Sequence, residues 1–185
     1  MEHQAYFLRR CIESIEKQTF KDYEIVITSH GKMAENTNEA IRRAKGEIVK
    51  ILYMDDYLAT QDSLQRIVDN FKGGWMVTAC AHDYGDGIPQ RIHQPKWDDK
   101  VERGINTIGS PSVLVFENKN PELFDEKMSW LLDCDLYSRL HKRYGEPTIL
   151  NTICTIIGIG NHQMTNKLTQ EEKLEEHNYL TAKYV

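Results

Sequence analysis

The chain has 185 residues, 40% hydrophobic and 28% charged, with a formal charge of −5. That composition fits one soluble domain with a sizeable core, excludes disordered and fibrous classes, and disfavours non-specific nucleic-acid binding. No apolar run approaches the ~20 residues of a spanning helix, and Met1-Glu2-His3-Gln4-Ala5 has no signal character, so a cytoplasmic protein is expected.

Tyr6, Phe7, Cys11, Ile12 and Ile15 fall at helical spacing and predict a first amphipathic helix ending near Gln18-Thr19. Tyr23 to Thr28 reads as a short strand, and Ser29-His30-Gly31-Lys32 breaks it where a ligand loop is common. Ala34 to Ala44 predicts a second helix, stopped by Lys45-Gly46. The β-branched run from Gly46 then reaches Asp55-Asp56 and predicts a buried strand whose end delivers both acids to a crevice. Strand, helix, strand predicts a right-handed parallel crossover.

Adjacent carboxylates repel unless solvated or shared by a cation. Mg²⁺ or Mn²⁺ is the natural occupant, completed by water and substrate phosphates. The plainer reading is a strand-end turn with two solvated acids.

Asp62 caps a predicted third helix through Phe71, ended by Gly73-Gly74, and Trp75 to Ala81 is the next strand. His82 to Arg103 shows no clear period, as functional or mobile segments do. Gly109-Ser110-Pro111-Ser112 leads into the strand Val113 to Phe116, and this Pro-containing loop is expected on the rim of a pocket. Trp130, Leu131, Leu132, Leu136 and Leu140 line a further helix, with Asp133 and Asp135 near its start, where acids complement the helix dipole. Ile149 to Ile159 is β-rich, and a terminal helix is expected over 169–185. Cys11, Cys80, Cys134 and Cys154 stand singly, so buried thiols are expected and neither a zinc site nor a disulfide framework is suggested.

In this order the elements resemble glycosyltransferase family 2, whose members share the nucleotide-diphospho-sugar transferase (GT-A) fold. The resemblance rests on Tyr6 to Ile15 with Gln18 to Ile27, on Ala44-Lys45-Gly46-Glu47 running into Leu52 to Leu58, and on Phe124-Asp125-Glu126 with Leu131 to Leu136. It implies an α/β fold, a single GT-A-like domain over 1–185, with a mixed, mainly parallel sheet flanked by helices on both faces. It also implies a metal-dependent transferase of polysaccharide-biosynthesis type, moving a sugar from a nucleotide-diphospho-sugar to a glycan or other hydroxyl acceptor. No nucleic-acid partner is expected, and a homodimer is compatible with the sequence.

The site residues implied by the resemblance are Asp133 as general base and Asp55, Asp56 and His162 at the metal. Ser29, His30, Asn38, Tyr53 and Met54 would contact the donor. Gly109, Ser110, Pro111, Ser112 and Asp135 would line the acceptor side. The chain departs from the family pattern in four places. It begins at the helix after the usual first strand, has Ser29-His30 where the family has Asp, has Tyr53 at the first Asp of Asp-x-Asp, and has Leu132-Asp133 for Glu-Asp. Two alternatives stay open: a non-catalytic nucleotide-sugar or glycan-binding module of the same fold, and a polymerase palm read from Tyr53-Met54-Asp55-Asp56.

Overall fold

The structure, a computed structural model, describes residues 2–161 and 163–184. At its centre runs β3 (Trp75–Asp83), buried at nearly every position. A strand apolar on both sides has to be covered on both. β6 (Thr148–Gly158) lies parallel beside it, from Met76 opposite Thr148 to Asp83 opposite Gly158. On the other side β5 (Leu114–Glu117) pairs with the first part of β3 and β4 (Gln90–His93) with its last part, both antiparallel. β1 (Ile48–Lys50) extends the sheet from β5, and β2 (Tyr57–Leu58) from β6, giving the order β1-β5-β3-β6-β2.

Strand alternation sorts the side chains into two layers. Val49, Trp75, Val77, Leu114 and Phe116 meet Ala34 and Ile41 of α2 (Met33–Arg43), and Leu132, Leu136, Tyr137 and Leu140 of α4 (Leu132–Tyr144). Ile48, Met76 and Val115 face the other way, onto Leu64 and Ile67 of α3 (Ser63–Asn70) and onto Cys154. Helices therefore cover both faces, as the sequence predicts. α1 (Glu2–Glu16) packs on β2, and α5 (Gln170–Tyr184) straps the 3₁₀ turn Asp99–Arg103 with Leu180 fully buried. Among the described residues no helix is long and apolar enough to cross a membrane. All four cysteines are free and buried, as expected.

The sheet is mixed but not mainly parallel. β3 with β6 is the parallel pairing, and the other four ladders among the described residues are antiparallel. Apolar periodicity gives which residues face the core, not the direction of the neighbour. Tyr23 to Thr28, expected as a strand, joins no ladder, and the described residues give it no backbone-to-backbone hydrogen bond. Side chains hold it instead. The Glu24 carboxylate accepts from the Lys45 and Gly46 amides at 2.5 and 2.9 Å, and Thr28 Oγ1 donates to the Asn36 carbonyl at 3.0 Å. Ile25 and Ile27 are left exposed. The segment from His82 to Arg103, without period in the sequence, contains β4 and the 3₁₀ turn; β4 escapes notice because three of its four residues are exposed and nothing alternates.

Candidate active site

Asp55 and Asp56 lie in a tight turn closed by the Asp56 amide on the Tyr53 carbonyl at 3.0 Å. Three other elements pin this turn. The Tyr53 amide donates to Ser112 Oγ at 2.9 Å, the Gly158 amide to Asp56 Oδ1 at 2.8 Å, and the Arg10 guanidinium to the Asp55 carbonyl at 2.7 Å. The end of β6 must be glycine here, since a Cβ on Gly158 would collide with that same Asp55 carbonyl. Asp56 is only 2% exposed, while Asp55 is half-buried. Burial first, and then the charge of Asp55, pushes the Asp56 carboxyl well above the usual range. Beneath the turn Lys50 donates to the Ser112 carbonyl, and burial lowers its ammonium to about 8.

Asp133 stands in the first turn of α4. Its Oδ1 accepts from the Cys134 amide at 2.7 Å and its Oδ2 from Asn106 Nδ2 at 2.6 Å. Burial nevertheless raises the carboxyl to about 6, against the lowering effect of these two bonds. Asn106 also clasps the loop beside it. Its Oδ1 accepts from the Ile108 and Gly109 amides at 2.9 and 2.8 Å, and Tyr137 donates to the Gly109 carbonyl at 3.0 Å. Tyr53 leads into the Asp55-Asp56 turn, and its hydroxyl lies 3.4 Å from Thr37 Oγ1. Its phenol is held far above its usual range by burial, and the charges of Asp133, Asp56 and Asp55 all reach it. Asn106 holds Asp133 and the Gly109 end of the loop, and Ser112 further along holds the Tyr53 amide, so one loop links the two acidic groups.

A cavity of about 340 Å³ is lined by Tyr6, Phe7, Arg10, Tyr84, Gly158 and Asn161 among others, and Asp55, Asp56 and Asp133 are not among its lining residues. At its floor Arg10 pairs with Asp83 at 2.6 Å. Asp83 also accepts from the Gly85 and Gly87 amides at 2.8 and 3.0 Å, and from Tyr57 at 3.3 Å. The Arg10 guanidinium lies over the Tyr57 ring, 4.2 Å from its centroid. One residue of α1 thus ties the end of β3 to the Asp55 carbonyl. Sequence reasoning missed Arg10, Asp83 and Asn106. For Arg10 and Asp83 the partner is 73 residues away and no local pattern marks it. Asn106 did carry a signal, an Asn placed ahead of a Gly in a turn.

Among solved structures the fold is similar to S. aureus TarS. TarS 1–349 in complex with UDP-GlcNAc aligns with a TM-score of 0.68 at 16% identity, over 97% of this chain and 62% of that one. The same fragment in complex with UDP gives 0.64 at 14% identity, over 98% and 67%. A further structure of TarS 1–349 gives 0.62 at 14% identity, over 84% and 57%. The chain shares the TarS fold. It spans little more than half the length of that last fragment. No family model matches the sequence, and no curated protein matches it.

Within this TarS-like frame the predicted residues divide. Gly109 and Ser110 are half-buried, and Gly109 reaches Asp133 through Asn106, so that end of the loop borders the site. Pro111 and Ser112 are buried, and Ser112 is a post beneath Tyr53 instead of a rim residue. Asp135 is 0% exposed and on the far side of α4, bonded to Arg139 at 2.9 Å, Lys183 at 2.6 Å and Tyr184 at 2.8 Å. Two positions along a helix turn a side chain through about 200°, so Asp135 anchors α5 and is not an acceptor residue. Asn38 is buried and clamps Phe124 through both main-chain groups, at 2.7 and 2.9 Å, with Glu126 at 2.9 Å. Its amide is fully engaged there, which argues against a donor contact.

Ser29 and His30 are exposed on the loop into α2, where the His30 amide donates to Asn36 Oδ1 at 3.2 Å. Met54 is exposed beside Asp55. His162 lies outside the described residues. Among the described residues no cluster of three or more His, Cys, Asp or Glu is arranged to hold a metal. Asp55 and Asp56 alone match the pattern of Mg²⁺ and Mn²⁺, which take one or two carboxylates and complete their shell with water and phosphates.

Proposed function

We propose that this domain transfers a sugar from a nucleoside-diphospho-sugar to an acceptor hydroxyl. What supports the reading most is that one loop links the two acidic groups, Asn106 bonding Asp133 and Ser112 bonding the Tyr53 amide, in a chain whose fold is similar to a protein solved with UDP and UDP-GlcNAc. In this reading Asp133 accepts the acceptor's O–H proton as that oxygen attacks the anomeric carbon. The bond from that carbon to the diphosphate breaks as the new one forms, and the diphosphate leaves with its electron pair. A single displacement of this kind inverts the anomeric centre.

Asp55 and Asp56 would hold a divalent cation, with His162 as a further ligand. Bound there, the cation supplies positive charge against the leaving diphosphate. The Ser29-His30 loop and Tyr53 would take the nucleotide side, and the Gly109-Ser110 loop the acceptor side.

The test is turnover of a panel of UDP-sugars, UDP-GlcNAc first, with manganese and a mixed panel of hydroxyl acceptors. Product formation supports the reading, and donor binding with no turnover favours the binding-module alternative. A base must be ionised to accept a proton. With the Asp133 carboxyl near 6, transfer is expected to rise with pH through about 6 and level off above it. A flat profile between pH 5 and pH 8 would remove Asp133 from the role.

A further inference from the structure

α4 starts without a local cap. Its N-cap residue is Leu131, whose side chain offers no acceptor. The acceptor comes from 45 residues further on, where Glu176 of α5 reaches back over the start of the helix. Its Oε1 takes the Trp130 and Leu131 amides at 2.6 and 2.5 Å, and its Oε2 the Ser129 amide at 3.0 Å. These are charge-assisted bonds to three successive amides, and they leave the chain one direction in which to enter α4. Asp133 follows two residues later.

α5 is itself held at several points. Lys183 pairs with Asp125 at 2.8 Å and with Asp135 at 2.6 Å. Tyr179 and Tyr184 donate to the same two acids at 2.9 and 2.8 Å. His177 meets the Arg103 carbonyl at 3.1 Å, and Lys173 lies over the Trp130 ring. Glu176 is thus presented from a braced helix, not from a loose tail.

We propose that Glu176 is a positioning residue, which through the Ser129–Leu131 backbone sets the place of the Asp133 carboxylate for the proposed transfer. This rests on the reading of Asp133 as the base. The bond from Asn106 to Asp133, at 2.6 Å, is the direct witness of that placement. A displacement on the order of 1 Å at a reacting group can cost about 10²-fold in rate, so loss of the cap should be visible in turnover.

Three forms of the full chain separate this from a purely stabilising cap: wild type, Glu176→Ala and Glu176→Gln. Gln keeps one acceptor oxygen and turns an N–H₂ toward the remaining amide, so it should retain part of the effect. In Glu176→Ala the Ser129, Trp130 and Leu131 amides should exchange with solvent at least about tenfold faster. The Asn106 side-chain amide resonances should move as the bond to Asp133 changes. With the donor that turns over in the panel assay, kcat should fall about tenfold or more and donor KM should stay within about twofold. Glu176→Gln should lie between the two on all three readouts.

Unchanged Asn106 resonances in Glu176→Ala would overturn the proposal, as would an unchanged kcat. So would a loss of kcat matched by an equal loss of donor affinity. If the wild type turns over no donor, the transferase reading falls on that result alone. Exchange and the Asn106 signal still decide whether Glu176 places Asp133.

Discussion

Replacing Asp133 with Asn is expected to lower sugar transfer by about 10²-fold or more while leaving donor affinity within about twofold. The substitution keeps the size of the side chain and one oxygen, which can hold the Cys134 bond at the helix start while the Asn106 bond to the other oxygen is lost, so α4 should still fold. What it removes is the group that burial has brought to about 6, near the pH at which a general base works. Steady-state kinetics with saturating donor and a thermal unfolding scan check both halves. Wild-type turnover in the variant would show that Asp133 is only a capping acid of the helix.

The largest expected effect on stability lies at Asp83. Its side chain is fully buried and faces Arg10 at 2.6 Å, with Tyr57 and two turn amides as further donors. Asp83→Ala strands a largely buried guanidinium and frees the turn through Gly85 and Gly87. Breaking such a pair from one side costs about 3 kcal/mol or more. Arg10 also bonds the Asp55 carbonyl, so donor binding should weaken along with stability. Against its own burial, the amides and Arg10 hold the Asp83 carboxyl below its ordinary 3.8. A depressed carboxyl contributes stability above the unfolded value and loses it as pH falls through the folded one. Urea unfolding at pH 7 and at pH 3 should therefore give a smaller difference between wild type and variant at the lower pH. A difference below about 1 kcal/mol at pH 7 would mean that the pair adds little.

The places of the candidate acids in the fold were legible because their signals are local. Asp55-Asp56 ends an apolar run, and Asp133 opens a helix with an apolar face, so both could be placed from the residues and the family resemblance together. Arg10 was hidden because it sits among the charged residues of an amphipathic helix, where solvation is the ordinary fate. Asp83 ends an apolar strand much as any turn acid does. Glu176 looked like one more acid on a surface helix, and only the packing of α5 over α4 gives it a target. The direction of the sheet was missed for a related reason. Tyr23 to Thr28 has strand composition, and the crossover through α2 argued for a parallel neighbour. A ladder, however, needs a second edge within reach, and side chains hold this segment in place of one. Asp135 misled because proximity along a helix is not proximity in space.

The proposed transfer has Asp55 and Asp56 hold a divalent cation together with a nucleoside diphosphate. Calorimetric titration of nucleoside diphosphate into the full chain, with and without manganese, tests it most directly, alongside Asp55→Asn. Binding should require manganese in the wild type and weaken at least about tenfold in Asp55→Asn. Equal affinity with and without the metal, or an unaltered affinity in the variant, would contradict it.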